Sequence, residues 1–326
     1  MATRKALIFG ISGQDGALLA RLLVGKGYRV HGTSRDAQLS GFANLTRLGV
    51  REQVQLHSAA TTDFRSVAQV LDEVRPEETY LLAGQSSVGL SFGQPVETLE
   101  SIALGALNVL EAIRFLKLDT RLYHAGSSEC FGDVGQAADE DTAFRPRSPY
   151  AVAKASAHWM VANYREAYGL HACTGILFNH ESPLRPTRFV TRKIVSAAVR
   201  IAAGSGERLQ LGDLTIERDW GWAPEYVDAM WRMLQHDRAE DFVIATGRMH
   251  SLREFVALAF AAVGLDWQAH VDFDPGLRRP SDIAHSVGDA SKAREVLGWT
   301  AVTTLEQVIA RMVAAERGET WPMVAG

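Results

Sequence analysis

Apolar positions in the first half of the chain recur in two alternating rhythms. Short apolar runs at 6–9, 28–33, 79–83 and 121–125 have the length and composition of buried strands. Between them, apolar residues at three- and four-residue spacing predict helices over 17–24, 66–74 and 99–115. Gly10 closes the first run, and Gly25 and Gly27 close the helix that follows it. A helix over 151–168 after Pro149 and a strand near 174–178 continue the alternation. Strands alternating with helices imply an α/β fold, a doubly wound parallel sheet built from right-handed βαβ units.

Beyond 178 the rhythm loosens. Helices are expected at 190–203, 225–235 and 252–263, while 213–225 and 272–283 read as irregular, charged and Trp- or Pro-bearing. The pattern predicts a smaller α/β substrate-binding lobe on the C-terminal edge of the sheet, where open α/β sheets take ligands. Residues 1–178 belong mainly to the nucleotide-binding unit and 179–326 mainly to the lobe, with some exchange of chain. Neither an internal repeat nor a low-complexity linker interrupts this division.

Composition narrows the function classes. The 326 residues are 47% hydrophobic, enough for a sizeable core without disulfides or metals. A formal net charge of −4 argues against a general nucleic-acid binder, which needs clustered Lys and Arg. The two cysteines, Cys130 and Cys173, are too few for a disulfide scaffold, and no His, Cys or carboxylate group has metal-site spacing. The N-terminus lacks a signal-peptide pattern, and no stretch approaches about 18 uninterrupted apolar residues. A soluble cytoplasmic protein is expected, with neither nucleic acid nor membrane as partner. Trp220, Trp222, Trp231 and Trp299 have no basic stripe beside them and are expected in the core.

Gly10-Ile11-Ser12-Gly13-Gln14-Asp15-Gly16 sets three glycines at Gly-x-x-Gly-x-x-Gly spacing between the first strand and the first helix. Glycines there permit positive φ and bring backbone N–H groups and a positive helix end to a pyrophosphate. In this context the turn reads as a Rossmann dinucleotide site, with Gly10, Ser12, Gly13, Gln14, Asp15 and Gly16 as its residues. The second strand ends in Thr33-Ser34-Arg35 without a carboxylate at its tip, which favours NADP, because Arg35 suits a 2′-phosphate.

Tyr150 and Lys154 stand four apart at the start of a helix and therefore share a face. A lysine ammonium and an oxidised nicotinamide nearby both favour the phenolate, so Tyr150 becomes a base for a substrate hydroxyl. Gly126-Ser127-Ser128-Glu129 follows the 121–125 strand onto the same edge of the sheet. Ser127 supplies a hydroxyl to hold the substrate oxygen, and Glu129 a carboxylate able to move a second proton.

With these residues goes a run of further stretches: Leu82-Ala83-Gly84-Gln85-Ser86, Pro146-Arg147-Ser148-Pro149-Tyr150, Phe178-Asn179-His180-Glu181-Ser182-Pro183, Phe189-Val190-Thr191-Arg192-Lys193-Ile194 and Arg218-Asp219-Trp220-Gly221-Trp222-Ala223. Together they resemble the GDP-mannose 4,6-dehydratase family of extended short-chain dehydrogenase/reductases over nearly the whole chain. The resemblance implies an NADP-dependent lyase acting on a GDP-sugar, with Ser127, Glu129, Tyr150 and Lys154 as the catalytic set. It also implies that Ser86, Ser128, Asn179, Val190, Lys193, Arg218 and Arg279 bind substrate, and that the chain forms a homodimer or homotetramer through the helices at 99–115 and 151–168. His180 lies in a family stretch, but a lone His reads first as a hydrogen-bonded structural residue.

The sequence departs from the family pattern at four points. Ser127 stands where Thr is usual, Asp36 where a second Arg is usual, Ala60 where an Asp near the adenine is usual, and Pro186 where Gly is usual. Three alternatives stay open: the same dehydration of a GDP-manno-heptose, a GDP-4-keto-6-deoxy-sugar reductase or epimerase, and a non-catalytic NADP-binding protein. The last would have no use for the intact Ser127, Glu129, Tyr150 and Lys154 set.

Overall fold

The computed structural model describes residues 3–277 and 280–321, so Arg279 lies outside the described residues. Seven parallel strands form the central sheet: β1 (Lys5–Phe9), β2 (Arg29–Ser34), β3 (Val54–Ser58), β4 (Glu78–Leu81), β5 (Arg121–Ala125), β6 (Ala172–Leu177) and β7 (Phe242–Ile244). Their order across the sheet is β7-β6-β5-β4-β1-β2-β3. The order reverses between β1 and β4, which is the switch point where such sheets open a ligand crevice.

Both faces of the sheet are covered, which is why its strands read as continuous apolar runs. Alternation along β1 divides them: Ala6 and Ile8 face a core shared with α1 (Gln14–Gly25), whereas Leu7 and Phe9 face α2 (Phe64–Val74), α3 (Gly105–Phe115) and α4 (Pro149–Tyr168). The helix expected at 99–115 starts earlier, at Pro95, and reaches α3 through a π-helical turn at Glu100–Leu104. Strand β3 escaped the pattern because it is a sheet edge whose sequence, Val-Gln-Leu-His-Ser, has no apolar run.

The second half contributes α5 (Val190–Ala202), α6 (Ala223–Gln235), α7 (Leu252–Ala261) and α8 (Leu305–Glu316). Its stretches at 213–225 and 272–283 are less irregular than expected. Trp220–Trp222 pairs in parallel with Asn179–Glu181, Glu217–Arg218 sits between His250–Ser251 and His285–Ser286, and Val271–Phe273 pairs with Leu209–Leu211. Strands of two or three residues leave no periodicity to read. Trp220, Trp222 and Trp299 are buried in the core as expected, and Trp231 is partly buried against it.

Candidate active site

The turn after β1 is built by two glycines and opened by a third. Gly10 has φ +87°, and a Cβ there would come within 2.8 Å of the Ala83 backbone; one on Gly16 would come within 2.4 Å of the Gly10 carbonyl oxygen. Gly13 is exposed, and its hypothetical Cβ would be 3.4 Å from that oxygen. Gly13 is also the N-cap of α1 and carries no side chain to occupy the helix's first N–H groups. With Ser12 also exposed and its carbonyl held by Asn44 Nδ2 at 3.0 Å, the turn fits an anionic pyrophosphate at a helix start.

Gln14 and Asp15, expected at the cofactor, direct their side chains elsewhere. Gln14 Nε2 donates to the His180 carbonyl at 3.2 Å, Ser182 Oγ donates to Gln14 Oε1 at 2.8 Å, and Asp15 Oδ2 lies 3.0 Å from His180 Nε2. Arg35 is exposed just past the tip of β2. The neighbouring carboxylate of Asp36 caps the backbone N–H groups of Gln38 and Leu39, both at 2.9 Å.

Ser127, Glu129, Tyr150 and Lys154 converge at the C-terminal end of β5. Gly126 turns the chain off the strand at a point where a Cβ would come within 2.6 Å of Thr174. Ser127 then caps the short helix Ser128–Cys130, accepting from the Glu129 backbone N–H at 3.3 Å. Opposite, Ser148 caps α4 and Pro149 opens it, so that Tyr150 and Lys154 occupy its first two turns. The Tyr150 phenol lies close enough to the Ser127 hydroxyl and the Glu129 carboxylate for both to act on its acidity. Ser128 is buried beside them.

Burial governs the charges. It raises the Tyr150 phenol well above its ordinary value, and Glu129 adds to the rise while Ser127 and Arg185 oppose it. Burial also lowers Lys154 to about 8. The expected direct support of the phenolate by Lys154 is weaker than the four-residue spacing suggested. Nζ donates to the Ala125 carbonyl at 2.8 Å and lies 5.9 Å from the Tyr150 ring centroid.

The residues expected to bind the sugar nucleotide lie on several elements of the second half. Asn179 is half-buried beside the Asp15–His180 contact, Val190 opens α5, and Lys193 Nζ donates to the Gln210 carbonyl at 2.7 Å. Arg218 is buried and donates to Asp282 at 2.9 Å. Ser86 is exposed at the end of the β4 loop and accepts from Arg188 at 3.3 Å. One cation at the site was missed. Arg185 stacks on Phe189 at 3.9 Å, pairs with the buried Glu181 at 3.3 Å, and acts on both Tyr150 and Asp15. Its position two residues beyond the Asn179–Pro183 stretch was the available signal. Among the described residues no group of three His, Cys, Asp or Glu is placed to hold a metal ion, and no helix is long and apolar enough to cross a membrane.

The sheet, the glycine turn and the Ser-Tyr-Lys constellation define an extended short-chain dehydrogenase/reductase. Solved structures agree on the fold. A dTDP-glucose 4,6-dehydratase from Streptomyces venezuelae superposes with a TM-score of 0.87 at 21% identity, covering 96% of this chain and 97% of its own. A UDP-glucose 4-epimerase from Thermotoga maritima gives 0.86 at 23%, covering 96% and 99%. Within that class the chain belongs to the GDP-mannose 4,6 dehydratase family, whose model matches residues 7–312. It is 45% identical over 318 residues to GDP-mannose 4,6 dehydratase 2 of Arabidopsis thaliana, covering 94% of this chain and 85% of that one. It is 42% identical over 345 residues to GDP-mannose 4,6-dehydratase of Vibrio cholerae, with 95% and 93% covered.

Proposed function

We propose that the chain converts GDP-mannose to GDP-4-keto-6-deoxymannose by water loss with internal hydride transfer through NADP. The observation that carries this reading is the convergence of Ser127, Glu129, Tyr150 and Lys154 at one strand end beside a pyrophosphate-shaped turn. A nicotinamide dinucleotide held at the turn of Gly10, Ser12, Gly13 and Gly16 would supply the hydride acceptor for C4 and the hydride donor for C6. Tyr150 takes the 4-hydroxyl proton while Ser127 holds that oxygen, leaving a 4-ketone that acidifies the C5 proton. Glu129 removes the C5 proton and passes it to the departing 6-hydroxyl, which leaves as water. The atoms balance when Tyr150 gives its proton back to the sugar at C5, so one water is lost and the cofactor is unchanged.

In this reading 1–178 mainly holds the cofactor and 179–326 mainly the GDP-sugar, with Ser86, Ser128, Asn179, Val190, Lys193, Arg218 and Arg279 at the substrate. Arg35 supports NADP over NAD, since Asp36 spends its charge on a turn. Exposed apolar side chains on two neighbouring helices, including Leu104, Phe115, Val152 and Trp159, support assembly into a homodimer or homotetramer. The buried free thiols of Cys130 and Cys173 suit a reducing cytoplasm. The test is to offer GDP-mannose and GDP-manno-heptose with catalytic NADP. Mass spectrometry should find GDP-mannose one water lighter, with no net absorbance from reduced cofactor. Stoichiometric NADPH consumption, or turnover of the heptose alone, would overturn the assignment.

A further inference from the structure

Asp15 and His180 make a partly buried contact that the reaction chemistry leaves unused. Asp15 is the second residue of α1, and His180 lies in the Asn179–Glu181 strand of the second half. His180 Nε2 is 3.0 Å from Asp15 Oδ2, and Nδ1 is 2.7 Å from the Phe178 carbonyl oxygen. A carbonyl and an ionised carboxylate can only accept, so both ring nitrogens must donate. The imidazolium alone has two N–H groups. The ring stacks on Tyr226 at 4.5 Å, and Gln14 braces the contact from the His180 carbonyl to Ser182.

An unpaired carboxylate at this position would act against the turn's task. The start of a helix carries about half a positive charge. Asp15 would absorb that field and repel an incoming pyrophosphate. We infer that His180 is a positioning residue: held as an imidazolium, it cancels Asp15 and leaves the N-terminal field of α1 to an anionic dinucleotide. The inference rests on the dinucleotide reading given above.

Other charged groups face the pair without replacing His180. Arg185 and Lys154 both feel the Asp15 carboxylate, but Lys154 donates to Ala125 and Arg185 pairs with Glu181. Glu181 also accepts from Thr191, at 2.7 Å. Tyr123 and Tyr226 are buried phenols raised far above their usual range and stay neutral. Burial and, less, Arg185 oppose His180 protonation, and Asp15 overrides both, leaving His180 raised and Asp15 lowered to about 2.

The test titrates NADPH and NADH by fluorescence between about pH 6 and about pH 10. It compares the unaltered chain with His180→Gln, Asp15→Asn and the double variant, using circular dichroism to confirm folding. In the unaltered chain affinity should fall about tenfold or more as the imidazolium loses its proton. His180→Gln should bind weakly at every pH, with a raised KM for cofactor and kcat retained at saturation. The double variant should recover most of the lost affinity, because a neutral amide needs no counter-charge, and Asp15→Asn alone should abolish the alkaline decline. A double variant as weak as His180→Gln overturns the inference. So does Asp15→Asn that keeps the decline, which decides the matter even if His180→Gln does not fold. Binding of neither dinucleotide by the unaltered chain overturns the functional reading as well, whereas binding without rescue overturns only the role of His180.

Discussion

Replacing Lys154 by Met removes a buried ammonium and keeps the length of its stem. Burial lowers this lysine from 10.5 to about 8. At about 1.4 kcal/mol for each tenfold change in acidity, that displacement weighs about 3 kcal/mol against the folded state at neutral pH. The bond from Nζ to the Ala125 carbonyl, 2.8 Å long, offsets about 1.5 kcal/mol of it. Lys154→Met should therefore be more stable than the unaltered chain by about 1 to 2 kcal/mol at pH 7. The sign reverses the usual expectation for losing an active-site residue. A lysine lowered on folding binds more protons when unfolded, so the unaltered chain gains stability as pH rises from about 8 to 10.5. The advantage of Met should shrink through that window. Urea unfolding at pH 7 and about pH 10, alongside turnover, measures both effects, and turnover should fall by about 100-fold or more. A Met variant less stable than the parent at pH 7, or a difference that ignores pH, would refute the reasoning.

Glu129→Gln should lower dehydratase turnover by roughly 10²- to 10⁴-fold while dinucleotide binding persists; retention of full turnover in the mass-spectrometric assay would remove Glu129 from the elimination step. Glu78 is a structural counterpart at the opposite edge of the sheet. It accepts from Tyr28 at 2.8 Å, Tyr80 at 2.7 Å and Gln235 at 3.0 Å, so Glu78→Leu strands the buried Tyr80 hydroxyl. A stability loss of about 3 kcal/mol in urea is expected, and a loss below about 1 kcal/mol would show the network to be dispensable. Asp15, lowered to about 2, stabilises the fold above its unfolded value and loses that effect as pH falls through about 2. His180, raised by Asp15, stabilises it below its unfolded value and loses that effect as pH rises through the folded one. The double variant Asp15→Asn, His180→Gln should therefore show a flatter stability profile at both ends in thermal melts across pH.

The sheet and the clustering of Ser127, Glu129, Tyr150 and Lys154 were legible because their signals are local. An apolar run before Gly10 and a Tyr four residues ahead of a Lys each need only a few neighbours to be read. Boundaries drifted where capping moved them: Ser148 and Pro149 start α4 two residues before the periodicity at 151. The short strands around Trp220 and Val271 were illegible because each is held by a partner distant in sequence and too short for a pattern. The Asp15–His180 contact was hidden for the same reason. The partners lie 165 residues apart, and nothing in the spacing of Asp15 joins the two. Lys154 shows the opposite case: the spacing places it beside Tyr150, but not the Ala125 carbonyl its ammonium donates to.

Asp15 acts on two basic side chains with different results. Burial lowers both Lys154 and His180, and the Asp15 carboxylate raises both. His180 touches the carboxylate, and the contact outweighs burial, so protonation of this ring is favoured. Lys154 feels the same charge without a hydrogen bond to it, and burial prevails, leaving it near about 8. A ring held protonated by a direct carboxylate contact is suited to offsetting that carboxylate's charge. A base poised near neutrality is suited to proton traffic beside Tyr150, because either protonation state is within easy reach. One partly buried carboxylate thus leaves two neighbouring basic groups with opposite shifts by contact alone, and under the proposed roles moving it should disturb cofactor binding and proton transfer by different amounts.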